Sequence, residues 1–309
     1  MNKVILMVGL SGSGKSHKAK FLSEKNNAII ISSDDIRKEL FNNENDQEHN
    51  DIVFSELHKR VRQNLQNGKN SIIDATNLTM KSRRSAITNI KQTKIPCEIM
   101  AYVMTKDFEN CVRNDFRRER TVGKDVIYQQ MKKFQIPFFE EGIDKIILEN
   151  YSNREATTEE NFKAIVEGMY DFPQQNRHHK YDLFTHCYKT YELLTQVEAN
   201  SSLLMAALLH DIGKMETKTK NDNGEYSYYH HANVGTYQLL NEIKLPNDIP
   251  NAFAETLNVL FYINYHMLPF DWNEEQTKAK YIEIFGETKF KNLLLLHHCD
   301  KIASGVQLN

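Results

Sequence analysis

The chain has 309 residues, about twice the ~150 residues of a typical domain, so its length predicts two domains. Hydrophobic residues make up 40% and charged residues 26%, the balance of an ordinary globular protein. Apolar runs such as Leu203–Leu209 are too short to cross a bilayer, and Met1–Val8 lacks the features of a signal peptide. We therefore expect a cytoplasmic protein without membrane contact. Its four cysteines include no C-x-x-C pair, which favours reduced core residues over disulfides or a zinc site.

The net charge of −2 hides an asymmetry between the two halves. Residues 1–150 carry 25 Lys and Arg against 20 Asp and Glu, a net charge of +5, and the remainder carries −7. Nine of the 12 histidines lie between His178 and His298. A basic first half suits phosphate-rich substrates, whereas an acidic, histidine-rich second half suits a bound divalent metal.

The first half alternates short apolar runs with helical patterns, which predicts an α/β domain with a parallel sheet and flanking helices over residues 1–151. The predicted strands are Val4–Val8, Ala28–Ile31, Ser71–Asp74, Ile99–Met104 and Lys145–Leu148. The predicted crossover helices are Ser16–Lys25, Gln47–Gln66, Lys81–Lys91 and Phe108–Glu119.

The second half is predicted to be an all-α domain over residues 178–309, joined by a linker helix within residues 152–177. The linker helix begins near Thr158 and ends before Pro173. The predicted helices of the second domain are Asp182–Gln196, Ser201–Ile212, Asn233–Glu242, Ile249–His266, Glu275–Phe285 and Thr288–Ser304. We place the aromatic run Tyr226–Tyr229 on a loop.

A phosphate-binding loop is predicted at Gly9–Ser16, which matches G-x-x-x-x-G-K-[ST] between a predicted strand and a predicted helix. Its glycines let main-chain N–H groups turn toward phosphates, Lys15 reaches the β and γ oxygens, and the Ser16 hydroxyl can hold Mg²⁺. The residues expected to bind the nucleotide are Gly9, Gly12, Ser13, Gly14, Lys15 and Ser16.

Acceptor-side residues are expected where the second and third strands end, because ligands bind at the carboxyl edge of a parallel sheet. Asp34 there can accept the proton of an attacking hydroxyl, while Arg37 holds an acceptor phosphate. The alternative is that Asp34 or Asp35 caps a helix. Asp74 can contact the metal's water shell or the acceptor, or can simply terminate its strand.

Arg113, Arg117 and Arg120 are spaced at i, i+4 and i+7, which places them on one face of a predicted helix. Clustered like charges favour a bound anion between them, so we predict a lid over a triphosphate. Arg117 would then stabilise the charge on the transferred phosphoryl group. The alternative is a solvated basic face.

Together, the sequences Gly9–Ser16, Asp34–Arg37, Asp74–Asn77 and Arg113–Arg117 resemble the bacteriophage-type polynucleotide 5′-kinases in order and spacing. The resemblance covers roughly residues 1–150. It implies an ATP- and Mg²⁺-dependent kinase whose general base for a 5′-hydroxyl is Asp34, with Arg37 on the acceptor's 3′-phosphate. The residues that it places on ATP are Lys15, Ser16, Arg113 and Arg117, and those that it places near the acceptor are Asp74, Thr76 and Asn77. Small P-loop kinases of free metabolites share most of these features.

A second site is predicted around His210-Asp211, at the end of the apolar helix that contains Leu203–Leu209. Gly213 is placed to stop that helix. Two adjacent polar side chains at the edge of an apolar helix are costly to bury without a cation. Four further potential ligands are His186, His231, His266 and Asp300.

This order of residues resembles the HD-domain phosphohydrolases, an all-α family, over about residues 175–309. The resemblance implies metal ligands at His186, His210, Asp211 and Asp300, with His231 and His266 matching added histidines of some members, and Asp211 in a catalytic role. Such ligands suit a divalent metal such as Mn²⁺, Ni²⁺ or Co²⁺. Lys214 is a candidate phosphate contact or a helix C-terminal charge. Five other histidines are predicted to be structural or exposed, with His297 placed to support Asp300: His178, His179, His230, His297 and His298.

The two modules together resemble end-healing proteins in which an HD phosphohydrolase is fused to a polynucleotide kinase. The resemblance implies an enzyme that phosphorylates 5′-hydroxyl ends and hydrolyses 2′,3′-cyclic or 2′(3′)-phosphate ends. Its expected substrates are nucleic-acid ends, RNA favoured, and a nucleoside triphosphate, and a separate RNA ligase is a candidate partner. Two alternatives are a metabolic nucleoside or nucleotide kinase fused to a nucleotidase, and a nucleotide-sensing module.

Overall fold

The computed structural model describes residues 1–44, 46–175, 180–220, 222 and 224–305. It divides into two compact units: Met1–Gln130 with Pro137–Asn150, and Met131–Ile136 with Tyr151–Asn309. The predicted start of the second domain at residue 178, together with His178 and His179, lies outside the described residues.

The first unit is built on a five-stranded parallel sheet, as predicted. Its strands are β1 (Asn2–Val8), β2 (Ala28–Ser32), β3 (Asn70–Asp74), β4 (Cys97–Val103) and β5 (Lys145–Leu148). They lie in the order β2-β3-β1-β4-β5 and all pair in parallel. Side chains such as Ile5, Met7, Ile72 and Met100 form a buried cluster. Because β1, β2 and β3 are adjacent and parallel, their carboxyl ends share one edge, where the predicted site residues begin.

Among the described residues, six α-helices occur between β1 and β5: α1 (Lys15–Asn26), α2 (Ser33–Phe41), α3 (Asn50–Gln66), α4 (Met80–Lys91), α5 (Phe108–Phe116) and α6 (Lys124–Met131). Helix α2 was not predicted, because nine residues give little periodicity. Its N-cap is Ser32, whose hydroxyl accepts from the Asp35 N–H at 3.2 Å. Asp34 and Asp35 therefore lie in the first turn, and neither is the cap.

The second unit is helical. Its helices are α7 (Glu159–Glu167), α8 (Leu183–Thr195), α9 (Ser201–Leu209), α10 (Lys214–Thr217), α11 (His231–Leu239), α12 (Ala252–Tyr265) and α13 (Glu275–Ala303). Helix α8 packs against α9 and α13, and α12 packs against α9 and α11. Gly286, with φ 76°, kinks α13 between the two helices that the sequence predicted there.

The placement of Tyr226–Tyr229 wholly on a loop was wrong. Strand β7 (Tyr226–Ser227) pairs antiparallel with β6 (Thr219–Lys220). Each strand has only two residues, too few for alternation to be visible in the sequence, and their pairing is stabilised by a contact between the Thr219 and Ser227 hydroxyls at 3.1 Å. No described helix is both long and apolar enough to span a membrane.

The prediction that Gly213 stops the preceding helix was also wrong. Helix α9 already ends at Leu209, and Gly213 has a right-handed φ of −66° at the N-cap of α10. A Cβ at this position would lie 2.1 Å from the His231 carbonyl oxygen and 2.6 Å from the Gly235 nitrogen. Glycine is needed here because the main chain of α11 comes too close for any side chain.

Candidate active sites

The glycine-rich loop between β1 and α1 contains backbone conformations that favour glycine. Gly12 has φ 75° and Gly14 has φ 98°. A Cβ on Gly12 would lie 2.0 Å from the carbonyl oxygen of Cys111, so the loop packs directly on α5. The local sequence and the N-terminus of α1 thus form a cradle suited to phosphate oxygens.

Two polar side chains that the sequence did not single out clamp this loop. The Asn114 amide on α5 donates to the Gly12 carbonyl at 2.9 Å. The Gln130 amide accepts from the Ser11 N–H at 2.7 Å and donates to its hydroxyl at 3.0 Å. Asn114 lies within the segment Arg113–Arg117, so the sequence contained a signal for the first contact, whereas Gln130 lies in no motif.

Lys15, Ser16 and Asp74 lie together at the carboxyl edge of the sheet. The Lys15 ammonium donates to the Leu10 carbonyl at 2.7 Å. Burial lowers the pKa of Lys15 to about 8, although the negative charge of Asp74 acts in the opposite direction. Burial also raises the pKa of Asp74, whose carboxylate accepts a hydrogen bond from Ser16. A hydroxyl beside a carboxylate is the donor set that Mg²⁺ uses in P-loop sites, so Ser16 and Asp74 fit this ion.

Asp34 is held between two arginines. Arg37 donates to Asp34 Oδ1 at 2.9 Å, and Arg120 donates to Asp34 Oδ2 at 3.0 Å. Arg37 is 5% exposed, and its other terminal nitrogen donates to Asn50 at 2.6 Å. The structure thus brings Asp34 and Arg37 together and adds Arg120, which sequence spacing had grouped with the lid.

Thr76 and Asn77 lie in the loop after β3, close to the glycine-rich loop. The Thr76 carbonyl accepts from the Gly9 N–H at 3.1 Å. Asn77 has a left-handed φ of 45°, and its buried amide donates to the Met7 carbonyl at 2.8 Å. The side-chain nitrogen of Asn77 thus joins the loop after β3 to strand β1.

The arginines of the predicted lid do not share a helix face. Helix α5 ends at Phe116, so Arg113 is in its last turn, Arg117 is its C-cap, and Arg120 lies in the following loop. The cause is Asp115, whose carboxylate accepts from the main-chain nitrogens of residues 122 and 123 and turns the chain back. Arg113 and Arg117 are exposed, whereas Arg120 reaches Asp34.

Six predicted metal ligands converge in the second unit. His186 is on α8, His210 and Asp211 follow α9, His231 begins α11, His266 follows α12, and Asp300 is near the end of α13. All six are at most 8% exposed. Five of them offer ligand atoms that form two overlapping groups: His186, His210 and Asp211, and Asp211, His231 and His266.

The two carboxylate oxygens of Asp211 face different histidines. Oδ2 lies 3.3 Å from Nε2 of both His186 and His210, and Oδ1 lies 3.0 Å from Nε2 of His231. His266 Nε2 is 3.1 Å from His231 Nε2 and 3.7 Å from Asp211 Oδ1. The Asp300 carboxylate joins the first group, 2.9 Å from His186 and 3.6 Å from His210. A carboxylate placed between two sets of ligands suits a pair of divalent ions.

Main-chain carbonyls orient three of the four imidazoles. Nδ1 of His210, His231 and His266 lies 2.8 Å from the carbonyl three residues earlier, in Ala207, Tyr228 and Ile263 respectively. With the proton on Nδ1, each Nε2 presents a lone pair to the centre of the cluster. Nε2 of His210 is buried without a hydrogen-bond partner among the described residues. The donor set therefore fits divalent metal.

The acidic and imidazole groups shift each other's pKa values. Burial lowers the pKa of His186, but hydrogen bonds to Asp211 and Asp300 overcome it and raise the value to about 9. Burial favours protonation of Asp211, yet Lys214 and the neighbouring histidines hold its pKa well below the usual range. Burial acts in the same direction on Asp300, whose pKa His186 and His210 hold well below the usual range. Without metal, protonated imidazole thus compensates the buried carboxylates.

Lys214 is buried beside the cluster. Its ammonium lies 2.6 Å from Asp211 Oδ2 and donates to the buried Gln174 at 2.8 Å. It begins α10, so it is not a charge at the C-terminus of α9. His297 packs edge-to-face on Phe270, and His230 and His298 are exposed.

Two family models match the sequence. Residues 4–137 match an AAA domain, and residues 183–304 match an HD domain. With the sheet, the glycine-rich loop and the buried cluster, these matches define an α/β P-loop domain of the kinase type followed by a helical HD domain. Both are enzyme domains: a P-loop kinase uses ATP and Mg²⁺, and an HD phosphohydrolase uses divalent metal.

No curated protein matches the chain. Among solved structures, a chain of the Pnkp1/Rnl/Hen1 RNA repair complex is 22% identical, with 43% of each chain covered and a TM-score of 0.39. A gluconokinase from Sinorhizobium meliloti 1021 is 12% identical over 47% of this chain and 82% of that chain, with a TM-score of 0.35. The chain thus spans less than half the length of the matched chain of the repair complex.

Proposed function

We propose that this protein is a bifunctional nucleic-acid end-healing enzyme with RNA as its favoured substrate. Its P-loop domain transfers the γ-phosphate of ATP to a 5′-hydroxyl end. Its HD domain hydrolyses 2′,3′-cyclic or 2′(3′)-phosphate ends. The observation that carries the proposal is the presence in one chain of a carboxylate–arginine pair beside a phosphate loop and of a buried cluster of metal-ligand type.

In the kinase half, Asp34 is the proposed base for the hydroxyl and Arg37 the proposed grip on the neighbouring phosphate. Lys15, Arg113 and Arg117 would neutralise charge on the transferred phosphoryl group. Because both Asp34 oxygens accept hydrogen bonds from arginines, the incoming hydroxyl must share one of them. The proposed acceptor contacts at the end of β3 and in the following loop are Asp74, Thr76 and Asn77.

In the HD half, the residues that would hold metal are His186, His210, Asp211, His231, His266 and Asp300. A bound divalent metal such as Mn²⁺, Ni²⁺ or Co²⁺ would polarise the phosphoryl oxygens and supply a nucleophile at neutral pH. Asp211 would place its two oxygens toward two metal positions. Lys214 orients Asp211 and is also the proposed contact for a substrate phosphate.

A separate RNA ligase is the proposed partner. Phosphorylation leaves a 5′-phosphate, and hydrolysis of the cyclic phosphate to a monophosphate and then of the monophosphate leaves a free 2′,3′-diol and inorganic phosphate. Neither site described here joins ends. Sealing therefore requires another activity that acts on the products.

The test uses a short RNA with a 5′-hydroxyl and a 2′,3′-cyclic phosphate, incubated with ATP, Mg²⁺ and Mn²⁺, with both ends read by mass spectrometry. Lys15→Ala or Asp34→Ala should lower 5′ phosphorylation by roughly 100-fold or more and spare 3′-end hydrolysis. Asp211→Ala should do the reverse, because it removes the ligand shared by both metal groups.

Matched controls are Lys20→Ala, an exposed lysine of α1, and Asp248→Ala, an exposed aspartate of the second unit. Both should leave the two activities unchanged. An intact protein that alters neither RNA end but phosphorylates free nucleosides would replace this proposal with the metabolic kinase. One substitution that abolishes both activities would contradict the independence of the two sites.

A further inference from the structure

The connection between α2 and α3 carries two aromatic rings that the proposed chemistry leaves unused. Phe41 is the last residue of α2, and His49 directly precedes α3. Their rings are stacked, with centroids 4.5 Å apart and an interplanar angle of 16°. The His49 side chain is 46% exposed, so the stack ends in a ring that is accessible to solvent.

This stack follows directly from the acceptor residues. Asp34, Arg37 and Phe41 are spaced by three and then four residues on α2, which places them on one face of the helix. At 1.5 Å per residue, Phe41 is about 10 Å along the axis from Asp34. Arg37 donates to Asn50, the neighbour of His49, at 2.6 Å. The order along this face is proton acceptor, phosphate grip and ring pair.

Asp46 sets the orientation of the outer ring. Its Oδ1 accepts from the main-chain nitrogens of Glu48 and His49 at 3.0 Å, and its Oδ2 lies 2.9 Å from His49 Nδ1. The hydrogen bond to Asp46 raises the pKa of His49, which favours the cationic imidazolium. A fixed, positively charged ring suits a nucleobase that is attached to a phosphate backbone.

A stack that served only to hold the turn would gain most by burying both rings. Here the turn is already fixed by the Asp46 carboxylate, and the outer ring keeps its exposure. Base–aromatic stacking accepts every base, because each base has a π face.

We propose that Phe41 and His49 form a subsite that stacks the nucleobase of the second nucleotide of a 5′-hydroxyl strand. This inference rests on the proposed function. With the 5′-hydroxyl at Asp34 and the following phosphate at Arg37, the next nucleoside lies beyond that phosphate, where the ring pair begins. The subsite makes oligonucleotides better acceptors than mononucleotides.

The test measures kcat and KM of the full-length protein at saturating ATP with three acceptors. They are a nucleoside 3′-monophosphate, a dinucleotide, and the same dinucleotide with an abasic second position. The dinucleotide should have a KM about tenfold lower than the abasic form, as expected for one stacked base. His49→Ala should remove this difference and leave kcat and the KM for the nucleoside 3′-monophosphate unchanged.

His49→Phe keeps a stacking ring and should retain the preference. Phe21→Ala, which removes an exposed aromatic ring from α1, is the matched control and should alter none of these constants. Equal KM values for the two dinucleotides in the active wild-type protein would overturn the subsite and leave the proposed function intact. A decrease in kcat of equal size on all acceptors in His49→Ala would also overturn the subsite and leave the proposed function intact, because it would be a structural effect. Absence of phosphorylation on every acceptor would overturn the proposed function itself.

Discussion

Asp211 illustrates how one buried residue organises a site. Its carboxylate lies within 3.3 Å of three imidazole nitrogens and 2.6 Å from the Lys214 ammonium. A buried carboxylate is stable only when cations or donors compensate its lost hydration. Here protons on histidine and lysine provide that compensation.

The pKa of His186 predicts how pH affects the metal-free protein. Its folded value of about 9 lies above the ordinary 6.5, so its stabilising contribution is complete below about 6.5 and is lost as pH rises through about 9. We expect the Tm of the second unit to fall across this interval in the metal-free protein. In His186→Gln the fall should be smaller.

Calorimetry across this pH range, with chelator and then with Mn²⁺, measures the effect. Bound metal needs neutral imidazole, so Mn²⁺ should reduce or reverse the fall. A metal-free Tm with the same pH dependence in the wild type and in His186→Gln would contradict the assignment.

Among the secondary-structure elements, a close contact between main chains positions two of the candidate metal ligands. Helices α10 and α11 meet at Gly213 and Gly235, where a Cβ on Gly213 would clash with the His231 carbonyl. His231 begins α11, and Asp211 lies two residues before Gly213. The distance between these ligands therefore depends on a contact that only glycine permits.

Gly213→Ala should lower the free energy of unfolding of the second unit by about 2 kcal/mol, because backbone atoms cannot yield as a flexible side chain can. It should also weaken metal binding. Gly168→Ala is the matched control: a Cβ there meets only the flexible Met215 side chain, at 3.1 Å, and its effect should stay within about 1 kcal/mol. Denaturant unfolding and metal titration measure both. Equal effects of the two substitutions would refute the close-contact explanation.

At the scale of the whole molecule, the chain leaves the first unit and returns to it. Residues Met131–Ile136 belong to the second unit, although Pro137–Asn150 belong to the first. Asn264 accepts from the Ile136 N–H at 2.8 Å and donates to the Phe134 carbonyl at 3.2 Å. Asn233 donates to the same carbonyl at 2.7 Å. These bonds brace helix α11, which begins at His231, and helix α12, which His266 directly follows.

A fragment that contains only residues 152–309 should therefore unfold at a lower temperature than the same unit in the full chain. Asn264→Ala should cost about 1–3 kcal/mol in the full chain, as expected for a buried hydrogen-bonded amide, and little in the fragment, where its partners are missing. Asn292→Ala is the control, because its partner Tyr262 is present in both. Thermal unfolding of the wild type, Asn264→Ala and Asn292→Ala, each in the full chain and in the fragment, tests this. A fragment as stable as the intact unit would disprove the role of the segment.

Much of the fold and of both candidate sites is predictable because the signals for it lie in short, contiguous stretches of sequence. Alternating runs predict the strands of a parallel sheet, Gly9–Ser16 predicts the phosphate loop, and His210-Asp211 predicts a metal centre from adjacent residues. The geometry of the predicted lid was not predictable. Helix α5 ends where the Asp115 carboxylate accepts hydrogen bonds from the main chain of residues 122 and 123, and hydrophobic periodicity does not indicate such contacts. Nor was the hairpin at Tyr226–Ser227, whose two-residue strands are too short for a pattern.

The two domain classes, the phosphate loop and the chemical types of the candidate ligands could be predicted from sequence, because contiguous motifs and hydrophobic periodicity act over a few residues. The contact of Arg120 with Asp34, the position of Asp211 between two groups of candidate ligands, and the bracing of the second unit by Met131–Ile136 became visible in the folded chain alone. These pairings join residues far apart in the chain. They are set by how helices and strands pack, for which no local sequence signal exists.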